Sequence, residues 1–102
     1  MMMLTAENKK NLPGLNQTEE IALDDKIVQV KFFCPWGSLT WYAVEYSPEE
    51  KLFFGYVCGN GPGCDEWGYF GLDELTSVNG PFGLKIERDM HFPPTKFSEI
   101  KS

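Results

Sequence analysis

Two short turn signals leave the middle of this chain almost one way to fold. Pro35-Trp36-Gly37-Ser38 and Ser47-Pro48-Glu49-Glu50-Lys51 separate three runs rich in β-branched and aromatic residues, at 27–34, 39–46 and 52–58. Proline presets φ for a turn, and glycine admits backbone angles that other residues avoid. A parallel neighbour needs a connection of about a dozen residues or more, so these strands must pair antiparallel. In the first run Val28, Val30 and Phe32 share one face, and Gln29 and Lys31 the other. In the second, strict alternation places Leu39, Trp41, Ala43 and Glu45 on one face and Thr40, Tyr42, Val44 and Tyr46 on the other. Both faces of this strand therefore carry apolar groups. One should pack on the core and helices, and the other exposes part of an aromatic stripe.

The flanks are simpler. Residues 5–12 read as a short helix with Thr5 as N-cap, Glu7 in its first turn and Lys9 and Lys10 near its end, stopped by Pro13-Gly14. Residues 16–25 are polar and acidic and read as a loop with Ile21, Ala22 and Leu23 as its anchors. Gly59-Asn60-Gly61-Pro62-Gly63 is loop, and a strand resumes at 67–70. Leu72, Leu75 and Val78 then change the spacing to three, a short helix with Asp73 and Glu74 in its first turn, ended by Asn79-Gly80-Pro81. Residues 84–88 predict a last strand and 95–100 a closing helical turn after Pro93-Pro94. The expected fold is α+β: an antiparallel sheet of four to five strands, with short helices near the N-terminus and after the fourth strand. With neither linker nor repeat, residues 1–102 form one domain.

Charge narrows the function classes. Fifteen acidic against nine basic residues give a net charge of −6, which lacks the basic footprint that nonspecific binding to DNA, RNA or anionic lipid requires. The expected partner is a protein with a basic surface rather than nucleic acid. No stretch approaches the roughly 18 apolar residues of a membrane span, and a cytoplasmic location is expected. Eight Phe, four Tyr and three Trp must be mostly core, since so much aromatic surface does not stay exposed on a monomer.

Residues able to carry chemistry are few. Cys34, Cys58, Cys64 and His91 amount to a zinc ligand set in number. However, strands two apart lie about 9.6 Å from one another. Thiolates on one zinc sit within about 4 Å. No C-x-x-C occurs, so neither a metal nor another cofactor is expected, and reduced thiols are the default for an odd cysteine count. Glu45 stands in an apolar strand, and Glu87, Arg88 and Asp89 cluster before His91. Such acids could work as a general acid or base, with a carboxylate paired to Arg88 or a neighbouring Lys as the commoner arrangement. No nucleophile motif accompanies His91, and the glycine loop lacks the Lys-Ser/Thr of a phosphate cradle. Trp36, Trp41, Tyr42, Tyr46, Tyr56, Trp67 and Tyr69 are core residues or, where exposed, anchors for a partner.

Three stretches resemble a known family. They are Val30-Lys31-Phe32-Phe33 followed by Thr40-Trp41-Tyr42-Ala43-Val44-Glu45-Tyr46, then Gly68-Tyr69-Phe70-Gly71-Leu72-Asp73-Glu74-Leu75, and Gly80-Pro81-Phe82-Gly83-Leu84-Lys85-Ile86-Glu87-Arg88-Asp89. Together they resemble the uncharacterised bacterial family called domain of unknown function 2958, over nearly the whole chain. Two features depart from its pattern: the glycine and cysteine loop at 59–65, and Lys85 where the family more often shows Pro. The resemblance implies a setting on plasmids, conjugative elements or phages, and no reaction. The expected function is a small acidic mobile-element accessory that binds a protein, with inhibition of a host restriction or CRISPR nuclease as its sharpest form. The expected binding residues are Trp41, Tyr42, Glu45, Trp67, Glu87 and Asp89. An enzyme with an acidic and His site, and a single-stranded nucleic-acid binder using the aromatics, are the alternatives.

Overall fold

The computed structural model describes residues 4–59 and 65–101. The elements in chain order are α1 (Ala6–Asn11), β1 (Ile27–Val28), β2 (Val30–Phe33), β3 (Thr40–Ser47), β4 (Leu52–Cys58), β5 (Glu66–Gly71), α2 (Leu72–Ser77), β6 (Glu87–Arg88), β7 (Thr95–Lys96) and α3 (Phe97–Lys101). Five strands form one antiparallel sheet in the order β5-β4-β3-β2-β6, and β1 and β7 pair antiparallel in a small ribbon. The fold is the expected α+β, with a meander at its centre. The run at 27–34 divides into two strands at Gln29, whose N–H donates to the Ala43 carbonyl at 2.9 Å. The predicted strand at 84–88 is confined to Glu87–Arg88, which pairs with Phe32 and Phe33.

Layers cover both faces of the sheet. On one face Val30, Phe32, Trp41, Ala43, Tyr46, Phe53 and Phe70 meet Leu4 and Leu12 from the N-terminal segment, Leu75 of α2, and Ile86. Phe53 is the hub, with ring centroids 5.4 Å from Phe32, 4.6 Å from Tyr46 and 5.2 Å from Phe70. On the other face Val28, Val44 and Phe97 are buried, with Tyr42, Tyr56, Trp67, Phe92 and Ile100 packed against them. The Phe97 ring sits 4.7 Å from Tyr56 and 4.6 Å from Trp67, so the C-terminal turn covers the middle of the aromatic stripe.

The N-terminal helix forms where its cap predicts. The Asn8 N–H donates to the Thr5 hydroxyl and the Thr5 N–H to the Asn8 side chain, each at 3.0 Å, a reciprocal capping box. The segment after it reverses an expectation. Ile21 and Leu23 are 45% exposed and Ala22 is exposed, whereas polar Thr18 and Lys26 are buried. The loop is held by hydrogen bonds to the sheet rather than by apolar anchors.

Candidate functional site

The site begins with one extra residue in a strand. Ala43 pairs with Gly55 and Glu45 with the very next residue, Phe54, so Val44 is a bulge. Past a bulge the alternation of faces inverts. Glu45 therefore leaves the face of Trp41 and Ala43, where regular alternation put it, and joins the face of Tyr42. Tyr46 takes the vacated core side, and residues 43–46 are all buried. The close strand approach beside the bulge admits no side chain at Gly55, where a Cβ would stand 1.9 Å from the Tyr42 carbonyl oxygen.

The loop between α1 and β1 closes over the displaced carboxylate. The Asn16 N–H donates to Glu45 Oε1 at 2.8 Å. The Thr18 N–H donates to Oε2 at 3.0 Å, and the Thr18 hydroxyl donates to the same oxygen. Lys26 Nζ donates to the Thr18 hydroxyl oxygen at 2.8 Å and to the Thr18 carbonyl. Thr18 thus stands between a buried ammonium and a buried carboxylate and satisfies both. Glu45 is 3% and Lys26 4% exposed. Charges this deep persist only when paired and hydrogen-bonded. The pairing expected for Glu45 was Arg88 or a strand lysine. It is instead a loop threonine, with the lysine one hydrogen bond further away.

Over this network lies a cavity of about 320 Å³ lined by Asn16, Glu19, Ile21, Ala22, Leu23, Lys26, Glu45, Phe54 and Tyr69. Glu45 pairs with Phe54, and Phe54 with Tyr69, so bulge and sheet register together build one wall. Phe54 is braced by Trp67, stacked at 5.7 Å, and by Tyr69 at 5.2 Å. Tyr69 is 59% exposed and stands at the mouth with Ile21 and Leu23. Glu19, Glu20, Asp24 and Asp25 are exposed along the same loop. The arrangement is an apolar, aromatic-walled hollow with a satisfied polar floor and an acidic margin.

The other expected site residues distribute unevenly. Trp41 is 8% exposed in the core beneath the sheet, so it offers no docking surface. Tyr42 is half-buried under Phe92, with Lys31 Nζ 5.9 Å from its ring centroid. Trp67 is half-buried and supports the cavity wall from behind. Glu87 and Asp89 line a smaller hollow of about 190 Å³ with Phe33, Arg88, Met90 and His91. Asp89 accepts the His91 backbone N–H at 3.0 Å, a local turn contact. Glu87 pairs with Phe33, which pairs with Thr40, at the opposite end of β3 from Glu45. The acidic candidates therefore do not converge: Glu45 lines one hollow, and Glu87, Asp89 and His91 another.

Cys34 lies in the core on one face of the sheet, and Cys58, opposite Thr40, on the other. They cannot share an ion, and among the described residues no three ligating side chains gather. Cys64 lies outside the described residues. Burial, then Asp65, pushes the Cys58 thiol up, with Lys31 opposing them, and the thiol stays protonated at neutral pH. Among the described residues no helix is long and apolar enough to cross a membrane.

Of the expected binding residues, Glu45 lines the hollow and Trp67 braces its wall, while Tyr69 was read only as one of the core or anchor aromatics. Sequence reasoning missed Thr18 and Lys26, which no periodicity marks, and Phe54, read only as part of an aromatic strand. The family model described as Protein of unknown function (DUF2958) matches residues 3–99, and the chain belongs to that family. No curated protein and no solved structure matches it.

Proposed function

We propose that this family member acts by binding a protein, receiving a basic segment with an apolar tip in the hollow above Glu45. The supporting observation is the exposed trio of Ile21, Leu23 and Tyr69 around a preformed cavity, with four acids on the same loop. Exposed apolar groups gathered at one concave place mark recognition more than isolated ones do. The acidic margin selects for lysine and arginine on the incoming chain and speeds the encounter. Glu45 forms the floor of the hollow and Trp67 braces its wall, and Tyr69 and Leu23 make the contact. A mobile-element accessory that blocks the basic nucleic-acid surface of a host restriction or CRISPR nuclease is the biological form of this reading, since such nucleases carry basic surfaces for acidic ligands.

The test is co-purification from a bacterial host with nuclease treatment, run in parallel on the wild type and a Leu23→Ser/Tyr69→Ala variant. A basic protein retained by the wild type and lost by the variant is the expected result. Identical proteins on both, or none on either, would remove the reading.

A further inference from the structure

On the opposite side of the sheet, the turn after α2 presents an aromatic ring that nothing inside the chain explains. Phe82 is 101% exposed. Its backbone sits at φ 56°, ψ 27°, a left-handed conformation that bulky residues avoid. Gly83 follows at φ +77°. Neither solubility nor backbone preference favours Phe here, and among the described residues no ring contact offsets the strain. The turn is nonetheless well built. The Gly80 N–H donates to the Leu84 carbonyl at 2.8 Å, and the Leu84 N–H to the Pro81 carbonyl at 3.0 Å. At its root Gly80 lies flat against the Trp36 ring, where a Cβ would be 2.5 Å from a ring carbon. The backbone that carries Phe82 is thus held by a closed turn, and the ring projects from it.

A hole adjoins the ring. A cavity of about 410 Å³ is lined by Leu75, Thr76, Gly83, Leu84, Lys85, Ile86 and Glu87. Its apolar wall comes from the core residues Leu75 and Ile86, and two opposite charges, Lys85 and Glu87, stand on its border. A surface carrying both a projection and a recess beside it is self-complementary. Lys85 Nζ donates to Asn79 Oδ1 within the chain; a two-fold axis that seated each projection in the other copy's recess would place these opposite charges of the two copies on one shared border.

We infer that this protein forms a two-fold homodimer in which Phe82 of each copy inserts into the cavity beside Leu75, Leu84 and Ile86 of the other. The inference is independent of the protein-binding reading above, because the hollow at Glu45 lies on the other face of the sheet. The insertion removes from water two rings worth about 150–250 Å² each. That is a minor part of the roughly 1,200 Å² a stable interface needs, so the surface around the two rings must supply most of the contact.

Sedimentation equilibrium of the purified protein from 5 to 500 µM tests this. The wild type is expected to pass from monomer to dimer and to stop there. Phe82→Asn should weaken association at least about tenfold while keeping the fold, because Asn tolerates the left-handed backbone. Lys85→Glu should weaken it, and adding Glu87→Lys should restore it. A wild type monomeric at every concentration would overturn the inference, as would Phe82→Asn dimerising like the wild type. Growth beyond the dimer would also overturn it, since that would mean a head-to-tail contact. So would partition of the wild type, but not of Phe82→Asn, onto phosphatidylcholine vesicles without dimerisation, since the ring would then be a lipid contact.

Discussion

Thr18 and Glu45, 27 residues apart in sequence, are joined twice, by the Thr18 N–H at 3.0 Å and by the Thr18 hydroxyl. This contact fixes the acidic loop to the sheet and gives the hollow its floor. Replacing the carboxylate by an amide leaves one acceptor oxygen for three donors and points an NH₂ at one of them. Glu45→Gln should therefore cost about 2–3 kcal/mol in urea unfolding. Thr18→Val should cost about 1–3 kcal/mol, and the double variant should be less than additive because both disrupt the bond between the Thr18 hydroxyl and Glu45. Additive losses would show that the two side chains act separately.

Phe53 touches three aromatic rings at the centre of the core. Phe53→Ala should destabilise by about 3–5 kcal/mol, the range for emptying a buried aromatic site. Gly55→Ala should also be severe, because a methyl group there meets backbone, which cannot rotate aside. Equilibrium unfolding of both variants checks this.

Alkaline pH should weaken the fold through four groups. Burial, then Asp65, raises Cys58 above its ordinary 9.0. Burial is also the larger cause for Tyr42, Tyr46 and Tyr56, each raised above 10.0. Where the folded state holds a proton more tightly than the unfolded state, its contribution is complete below the unfolded pKa and lost as pH rises through the folded one. Thermal melts should be insensitive to these groups below about pH 8 and fall progressively from about pH 9 upward. A rise in melting temperature across pH 9–11 would contradict the assigned burial.

Leu23→Ser and Tyr69→Ala change exposed side chains at the mouth of the hollow. Each should shift stability by no more than about 0.5 kcal/mol, the ordinary range for surface positions. Chemical denaturation of the single variants separates this from a structural role, in which the loss would be several times larger.

The central meander was legible because its turns are written locally: Pro35 to Ser38 and Ser47 to Lys51 admit only short reversals. The Val44 bulge was not. Ala-Val-Glu has no bulge signature, and the extra residue is defined only by what β4 pairs with. That one displacement is why Glu45 was assigned to the wrong face. Thr18 and Lys26 were hidden for a related reason: their burial is imposed by a carboxylate on a distant strand, and a polar loop has no period to betray it. Ile21, Ala22 and Leu23 looked like anchors because apolar residues in a polar segment usually are, yet backbone and side-chain hydrogen bonds fix this loop instead. Asn79-Gly80-Pro81 was readable as a helix terminator, while the display of the Phe82 ring depends on the turn's closure against Trp36.

The most direct measurement is selection of a random peptide library displayed on phage against immobilised wild type and against the Leu23→Ser/Tyr69→Ala variant. Binding in the hollow above Glu45 predicts enriched peptides that flank one aromatic or large aliphatic residue with lysine or arginine, and loss of that enrichment on the variant. Acidic or unpatterned peptides, or equal enrichment on both proteins, would contradict it.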